Sequence, residues 1–286
     1  MYGSAVASRV LLVVTSTVTL LSTGCASISP LARLEQKMVY QPVRYPGGNW
    51  DLGGREFLDA WFTAKDGTQL HGWYSPHPRP RAVALFCHGN AGNLTHRSRT
   101  LRILRDRHDV AVLVFDYRGY GRSEGKPSES GLIQDAKAAR RWLANRTGVE
   151  ESDITLLGRS LGGGVAVQLA ADDGARGLVL ASTFTSLPDV GAEHAPLLAP
   201  KLVMRNRFDS ITRIPEYAGP LLMSHGDSDE LIPFEQGRQL FEAARGPKRF
   251  IRIPNAGHND PQSEAYREAF DQFLTDLPPL SRPPRM

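Results

Sequence analysis

The pentapeptide Gly158-Arg159-Ser160-Leu161-Gly162 carries the strongest chemical signal in the chain. It follows the apolar run Ile154 to Leu157 and opens a helical pattern from about Leu161 to Ala171. A serine on a sharp strand-to-helix turn presents its oxygen clear of the backbone, and flanking glycines remove the Cβ atoms that would collide there. The helix N-terminus adds free N–H groups and partial positive charge beside the oxygen. The pattern therefore nominates Ser160 as a nucleophile for a carbonyl. Five residues of this kind also occur by chance, and the strand before and helix after are what discriminate. A phosphate loop fits less well, because neither a Walker lysine nor a G-x-G-x-x-G follows the first strand.

A serine hydroxyl is a weak nucleophile until a base takes its proton. His258, in Asn255-Ala256-Gly257-His258-Asn259-Asp260, lies between the last strand pattern and the last helix and is the candidate. The base needs an acid to fix its tautomer and stabilise its cation. Asp227, Asp229 and Glu230 compete in Ser224-His225-Gly226-Asp227-Ser228-Asp229-Glu230. Asp229 is favoured over Asp227, and the unused aspartate is expected to cap a turn. Negative charge growing on the attacked oxygen calls for two aimed N–H groups. Leu161 supplies one, and the loop His88-Gly89-Asn90-Ala91-Gly92-Asn93 the other, from Asn90 or alternatively Ala91. His88 is expected to brace that loop, and His225 to be structural.

These residues must be carried by a regular frame. Apolar strands (83–87, 110–115, 154–157, 178–180, 220–223, 249–253) alternate with helical stretches (94–107, 129–145, 161–171, 234–244, 263–275). Asp66-Gly67 reads as a hairpin turn between strands at 56–64 and 68–74. The alternation implies an α/β fold, a mostly parallel sheet with helices on both faces and a site at the carboxyl ends of the strands. Residues 182–219, rich in proline, break the rhythm and read as a short lid. Leu187, Val190, Leu197, Leu198 and Leu202 could face an apolar acyl chain or pack the lid onto the body.

The 286 residues, 41% hydrophobic and 22% charged, suit one large domain. The formal charge of +4 arises from 34 basic and 30 acidic residues, scattered along the chain. The densest basic group (Arg97, Arg99, Arg102, Arg105, Arg107) reads as a solvated helix face rather than an anion-binding patch. No nucleic-acid motif, metal-ligand spacing or cofactor motif is apparent. Of two cysteines, Cys87 lies in an apolar strand and is expected to be inert.

The apolar run Val10 to Leu21 has Arg9 before it and Leu21-Ser22-Thr23-Gly24-Cys25 after it. It is too short and too polar for a dependable membrane helix and reads as a signal peptide. Its end resembles the lipobox of bacterial lipoproteins, with Ser22 where leucine is commoner. That resemblance implies residues 1–24 as signal peptide, acylation of Cys25, export and anchoring to the cell envelope. Ala26 after the cysteine favours the outer membrane. Residues 25–54 read as a tether, 55–277 as the folded domain and 278–286 as a disordered tail.

Taken together, residues 55–277 resemble the α/β-hydrolase superfamily. Within it they are similar to small-lid serine hydrolases that include protein depalmitoylases and lysophospholipid hydrolases. The motifs carrying the likeness are His88-Gly89-Asn90, Asp116 to Ser123, Gly158 to Gly162, Phe184-Thr185-Ser186, Arg207 to Ser210, His225 to Asp229 and Gly257-His258. The lineage's H-G-x-x-D pattern implies Asp229 as the acid. It also implies a scaffold role for the Asp116 to Ser123 loop around the pocket, with Tyr117 and Tyr120 expected to line it. The expected activity is cleavage of an acyl ester or thioester through an acyl-enzyme, without a cofactor. The alternatives are a non-catalytic envelope lipoprotein of the same fold, or a peptidase or haloperoxidase-type member.

Overall fold

The computed structural model describes residues 30–52 and 56–285, with side chains from Glu35 onward. In chain order the elements begin with α1 (Pro30–Val39), β1 (Gln41–Pro42), β2 (Leu58–Thr63), β3 (Gln69–Ser75), β4 (Ala82–Cys87), β5 (Ala91–Gly92), α2 (Ser98–Asp106), β6 (Val110–Phe115) and α3 (Glu129–Thr147). They continue with β7 (Thr155–Arg159), α4 (Leu161–Asp173), β8 (Leu178–Ala181), α5 (Leu187–His194), α6 (Pro200–Val203) and α7 (Ser210–Arg213). The last are β9 (Leu221–Gly226), α8 (Phe234–Ala243), β10 (Lys248–Ile253) and α9 (Glu264–Asp276).

Eight strands form one sheet in the order β10-β9-β8-β7-β4-β6-β3-β2. The six from β10 to β6 run parallel, while β3 and β2 join antiparallel through the expected Asp66-Gly67 hairpin. Every residue of β4 and β6 is buried, which explains why they read as unbroken apolar runs: both faces are covered. On one face α3 and α4 contribute Leu132, Leu143, Val165 and Leu169 to a core that includes Val83, Leu85 and Leu113. On the other, α2 and α9 bring Leu101, Phe270 and Leu274 against Ala84, Val112 and Leu222. Helix α3 is capped at both ends: Ser128 Oγ accepts from the Gly131 N–H, and Gly148 closes it in the left-handed region at φ 75°.

Three boundaries differ from the sequence reading. The stretch read as a tether is, over its described residues, part of the domain. Val39 and Tyr40 are buried in the core, and β1 pairs with β5. Beyond α1 and Tyr40 its docking uses backbone and polar contacts that leave little apolar periodicity to read. The tail from Pro278 is laid on the body: the Arg176 side chain donates to the Pro278 carbonyl at 2.7 Å, and Ser281 bonds the Asp153 carboxylate. The helix expected from Leu94 begins instead with a 3-10 turn over Leu94–Arg97, capped by Asn93. The signal peptide and Cys25 lie outside the described residues. Among the described residues no helix is long and apolar enough to cross a membrane.

The close approach of α4 to the sheet depends on Gly162, where a Cβ would lie 2.0 Å from the Cys87 carbonyl oxygen. Backbone on both sides leaves nothing flexible to move. Gly162→Ala is expected to destabilise the domain by about 3 kcal/mol or more. The urea midpoint, or failure to recover soluble protein, reads this out; an unchanged midpoint would contradict the packing.

Candidate active site

Ser160 stands between β7 and α4 at φ 52°, ψ −123°, outside the regions a side-chain-bearing residue prefers. Its N–H donates to the Ala181 carbonyl at 3.0 Å. Its own carbonyl accepts from the Gly163 N–H at 2.8 Å and the Thr183 hydroxyl at 2.9 Å. Three hydrogen bonds from different elements thus hold the strained turn.

The structure brings the three separated side chains together. His258 Nε2 lies 3.1 Å from Ser160 Oγ, and its Nδ1 lies 2.8 Å from Asp229 Oδ2. The ring bridges the two oxygens, so a proton on Nδ1 leaves Nε2 free to accept the serine hydroxyl's proton. Asp229 is buried, and burial alone would raise its pKa. Hydrogen bonds from His225, His258 and the Ile232 amide outweigh burial and hold the carboxyl well below its usual range. Its other oxygen accepts the Leu231 and Ile232 N–H groups at 3.0 and 2.8 Å.

The competing acids are elsewhere. Asp227 accepts the Asn255 N–H at 2.6 Å and pairs with Arg252 at 2.8 Å, so it ties down the start of the His258 loop. Glu230 is exposed. The loop is held from below as well, by Arg159, which donates to the His258 carbonyl at 2.5 Å.

Asn90 and Leu161 both line the cavity onto which Ser160 opens. Ala91, the alternative donor, is drawn into the short parallel pairing with Gln41. His88 is buried and donates from Nδ1 to the Gly89 carbonyl at 2.7 Å. Burial chiefly pushes its pKa down to about 3, so it is neutral and braces the loop, as expected. Cys87 is buried, and burial pushes its thiol up to about 12, which leaves it protonated.

The cavity encloses about 520 Å3. Leu187, Val190 and Leu198 line it from the lid, and Met38 and Val39 from α1. Leu197 and Leu202 instead point outward, 98% and 87% exposed. Glu35 of α1 accepts three N–H donors from Arg205 and Asn206 at 2.7–3.0 Å, which clamps the end of the lid.

One expectation fails here. Tyr117 and Tyr120 do not line the cavity; both are fully buried against the His88 ring, at 4.6 and 5.6 Å between centroids. Aromatic rings are large enough to be the scaffold itself. The sequence reading also missed three supports. His225 reaches Asp229 Oδ2 at 3.2 Å from the strand end, and its i,i+4 spacing to Asp229 was a usable signal. Arg159 occupies the variable position of the elbow, where no residue type is required. The contacts of residues 41–47 with the Asn90 loop, including Val43 N–H to the Gly92 carbonyl at 2.9 Å, had no signal in the sequence.

Residues 78–216 match the Hydrolase_4 family, described as serine aminopeptidase, S33. An uncharacterized protein of Mycobacterium tuberculosis is 37% identical over 253 residues, covering 87% of this chain and 90% of the relative. Alpha/beta hydrolase domain-containing protein WAV2 of Arabidopsis thaliana is 34% identical over 286 residues, covering 90% and 92%. Among solved structures, the Pyrococcus furiosus esterase Pf2001 superposes with a TM-score of 0.67 at 24% identity, covering 84% of this chain and 98% of the esterase.

Asp116, beneath the Asn90 loop, accepts the Leu94 N–H at 2.8 Å, while its second oxygen is buried without a partner. Burial pushes its pKa up to about 8. The protonated form is therefore the one the fold favours. Its contribution is complete below the unfolded value near 4 and is lost as pH rises through about 8. Between about pH 6 and about pH 9, the melting temperature should fall more in the parent than in Asp116→Asn. Equal slopes in the two proteins would contradict this.

Proposed function

The chain belongs to the α/β-hydrolase superfamily, and from that premise we propose that it hydrolyses carboxylic esters or thioesters with Ser160 as nucleophile. The observation that carries this reading is the Ser160–His258–Asp229 hydrogen-bond chain, at 3.1 and 2.8 Å, opening on a cavity walled mostly by apolar side chains. Ser160 Oγ attacks the acyl carbonyl as its proton passes to His258 Nε2. Asp229, a carboxylate, stabilises the imidazolium through Nδ1. The oxygen that becomes negative is received by the backbone N–H groups of Asn90 and Leu161. The amide of Leu161, at the start of α4, has no intrahelical partner. His258 then returns the proton to the departing alcohol or thiol. Water repeats the sequence on the acyl-enzyme and frees the acid.

Esters and thioesters are preferred to N-terminal peptides on the chemistry of the cavity. An aminopeptidase must offer a free carboxylate to the substrate's ammonium group. Among the described residues the one carboxylate lining this cavity, Glu35, already accepts the N–H donors of Arg205 and Asn206. An acyl chain, by contrast, needs only the apolar wall.

The same reading extends to location. Leu197, Leu198, Leu202, Val203 and Met38 stand exposed near the cavity, an apolar crown suited to the edge of a lipid bilayer. With Cys25 acylated, only four residues would separate the anchor from the start of α1. We therefore assign the chain to the cell envelope, held there through Cys25.

Ser160→Ala should abolish labelling by a fluorophosphonate probe and hydrolysis of p-nitrophenyl acyl esters. Persistence of either would refute the nucleophile. Across p-nitrophenyl esters of rising acyl length, kcat/KM should climb until the chain fills the cavity. A profile that peaks at acetate would contradict the acyl-chain reading.

A further inference from the structure

A second cavity of about 460 Å3 lies between α2, the carboxyl ends of β7 and β8, the loop carrying His258 and α9. It shares no lining residue with the cavity above Ser160. Its floor is apolar, with Phe86, Leu157, Val179 and Phe270 all buried. Its rim carries Arg97, Arg99, Arg159 and Arg267, against one acid, Asp260.

The pairing of these arginines separates them from ordinary surface charge. On α2 and just beyond it, Arg102, Arg105 and Arg107 each have a carboxylate partner: Glu56, Asp106 and Glu264. Those three fit the solvated face that the sequence suggested for all five arginines from Arg97 to Arg107; Arg97 and Arg99 differ. Arg267 is paired with Glu264. Among the described residues, Arg97, Arg99 and Arg159 lie within ion-pair distance of no carboxylate. Arg97 donates to the Ala91 carbonyl at 2.5 Å, but its Nε is buried without a partner. Gln262, also on the cavity wall, has an equally unpartnered buried oxygen.

Burial holds both Arg97 and Arg159 below the usual arginine range, and the charge of Arg159 pushes Arg97 down further. Asp229 offsets part of this for Arg159 from beyond ion-pair distance, and two half-buried cations with no directly paired carboxylate remain costly until something negative comes between them.

We propose that this cavity is an anion-binding subsite for a phosphate group carried on an apolar or aromatic body. The guanidiniums would hold the phosphate oxygens, and the apolar floor would cover the body. Such a group could arrive on the leaving alcohol of the substrate or as a free phosphomonoester. Because Arg159 also holds the His258 carbonyl, an anion bound there bears on the loop that positions the base. The site itself rests on the cavity; its connection to turnover rests on the hydrolase reading.

The binding test uses phenyl phosphate titrated into the full-length protein in detergent, with sodium chloride at matched ionic strength as control. The melting temperature should rise saturably with phenyl phosphate. The apparent Kd should weaken about tenfold or more in Arg97→Gln/Arg99→Gln, and much less in Arg97→Lys/Arg99→Lys. Circular dichroism of each variant establishes that it is folded. A melting temperature that follows ionic strength alone, or undiminished binding in the folded glutamine variant, overturns the proposal. This arm needs no turnover, so it stands or falls independently of the hydrolase assignment.

A kinetic arm separates the two sources. Inhibition confined to a phosphorylated aryl butyrate, with its KM raised in Arg99→Gln while p-nitrophenyl butyrate is unaffected, supports a leaving-group subsite. A saturable change in p-nitrophenyl butyrate turnover by phenyl phosphate supports a free ligand acting through Arg159.

Discussion

Ser160 is held in a backbone conformation that costs a residue with a side chain about 1–3 kcal/mol, and the surrounding fold is arranged to keep it there. The sheet fixes its N–H through Ala181, and its carbonyl is fixed by Thr183 and by the first turn of α4. Gly162 lets that helix start against the Cys87 backbone. The strain puts Oγ at the mouth of a cavity that Leu161 also lines. A relaxed turn would withdraw both together. Position, rather than any unusual chemistry of the hydroxyl, is what the fold supplies to residue 160.

Electrostatics complete the arrangement by assigning one ionised acid to one imidazole. Asp229 is buried yet ionised, because donors from His258, Leu231 and Ile232 converge on it and His225 Nε2, which bonds the Ile232 carbonyl at 2.9 Å, lies 3.2 Å away. Asp227, two residues away, is spent on Arg252 and the Asn255 amide and shapes the loop instead. Under the neighbouring loop the opposite balance holds. Among the described residues, His88 and Asp116 are buried without a salt-bridge partner closer than 3.8 Å, and both are pushed toward their neutral forms. Charge near the site thus sits on Asp229, on Glu35 at the cavity wall and on the arginines behind the His258 loop.

The parallel sheet, its covering helices and the positions of Ser160, Asp229 and His258 could be read from the sequence because each leaves a local mark. Strands buried on both faces are unbroken apolar runs, and an elbow needs glycine where a Cβ would strike backbone. What escaped the reading is held by interactions that constrain residue type weakly. Residues 41–47 dock through backbone hydrogen bonds, which almost any side chain permits. Tyr117 and Tyr120 differ from pocket-lining aromatics only in what packs around them. Arg97 and Arg99 look like Arg102 and Arg105 in sequence; only the placement of Glu56 and Asp106 distinguishes them.

The proposed chemistry requires a covalent acyl-enzyme on the oxygen of residue 160. The direct measurement is rapid-quench mass spectrometry of the intact protein mixed with p-nitrophenyl butyrate, followed by peptide mapping. A burst of p-nitrophenol near one equivalent, with a butyryl adduct on the peptide containing Ser160, is the result this account predicts. Steady hydrolysis with no adduct, or an adduct mapped to another residue, would contradict it.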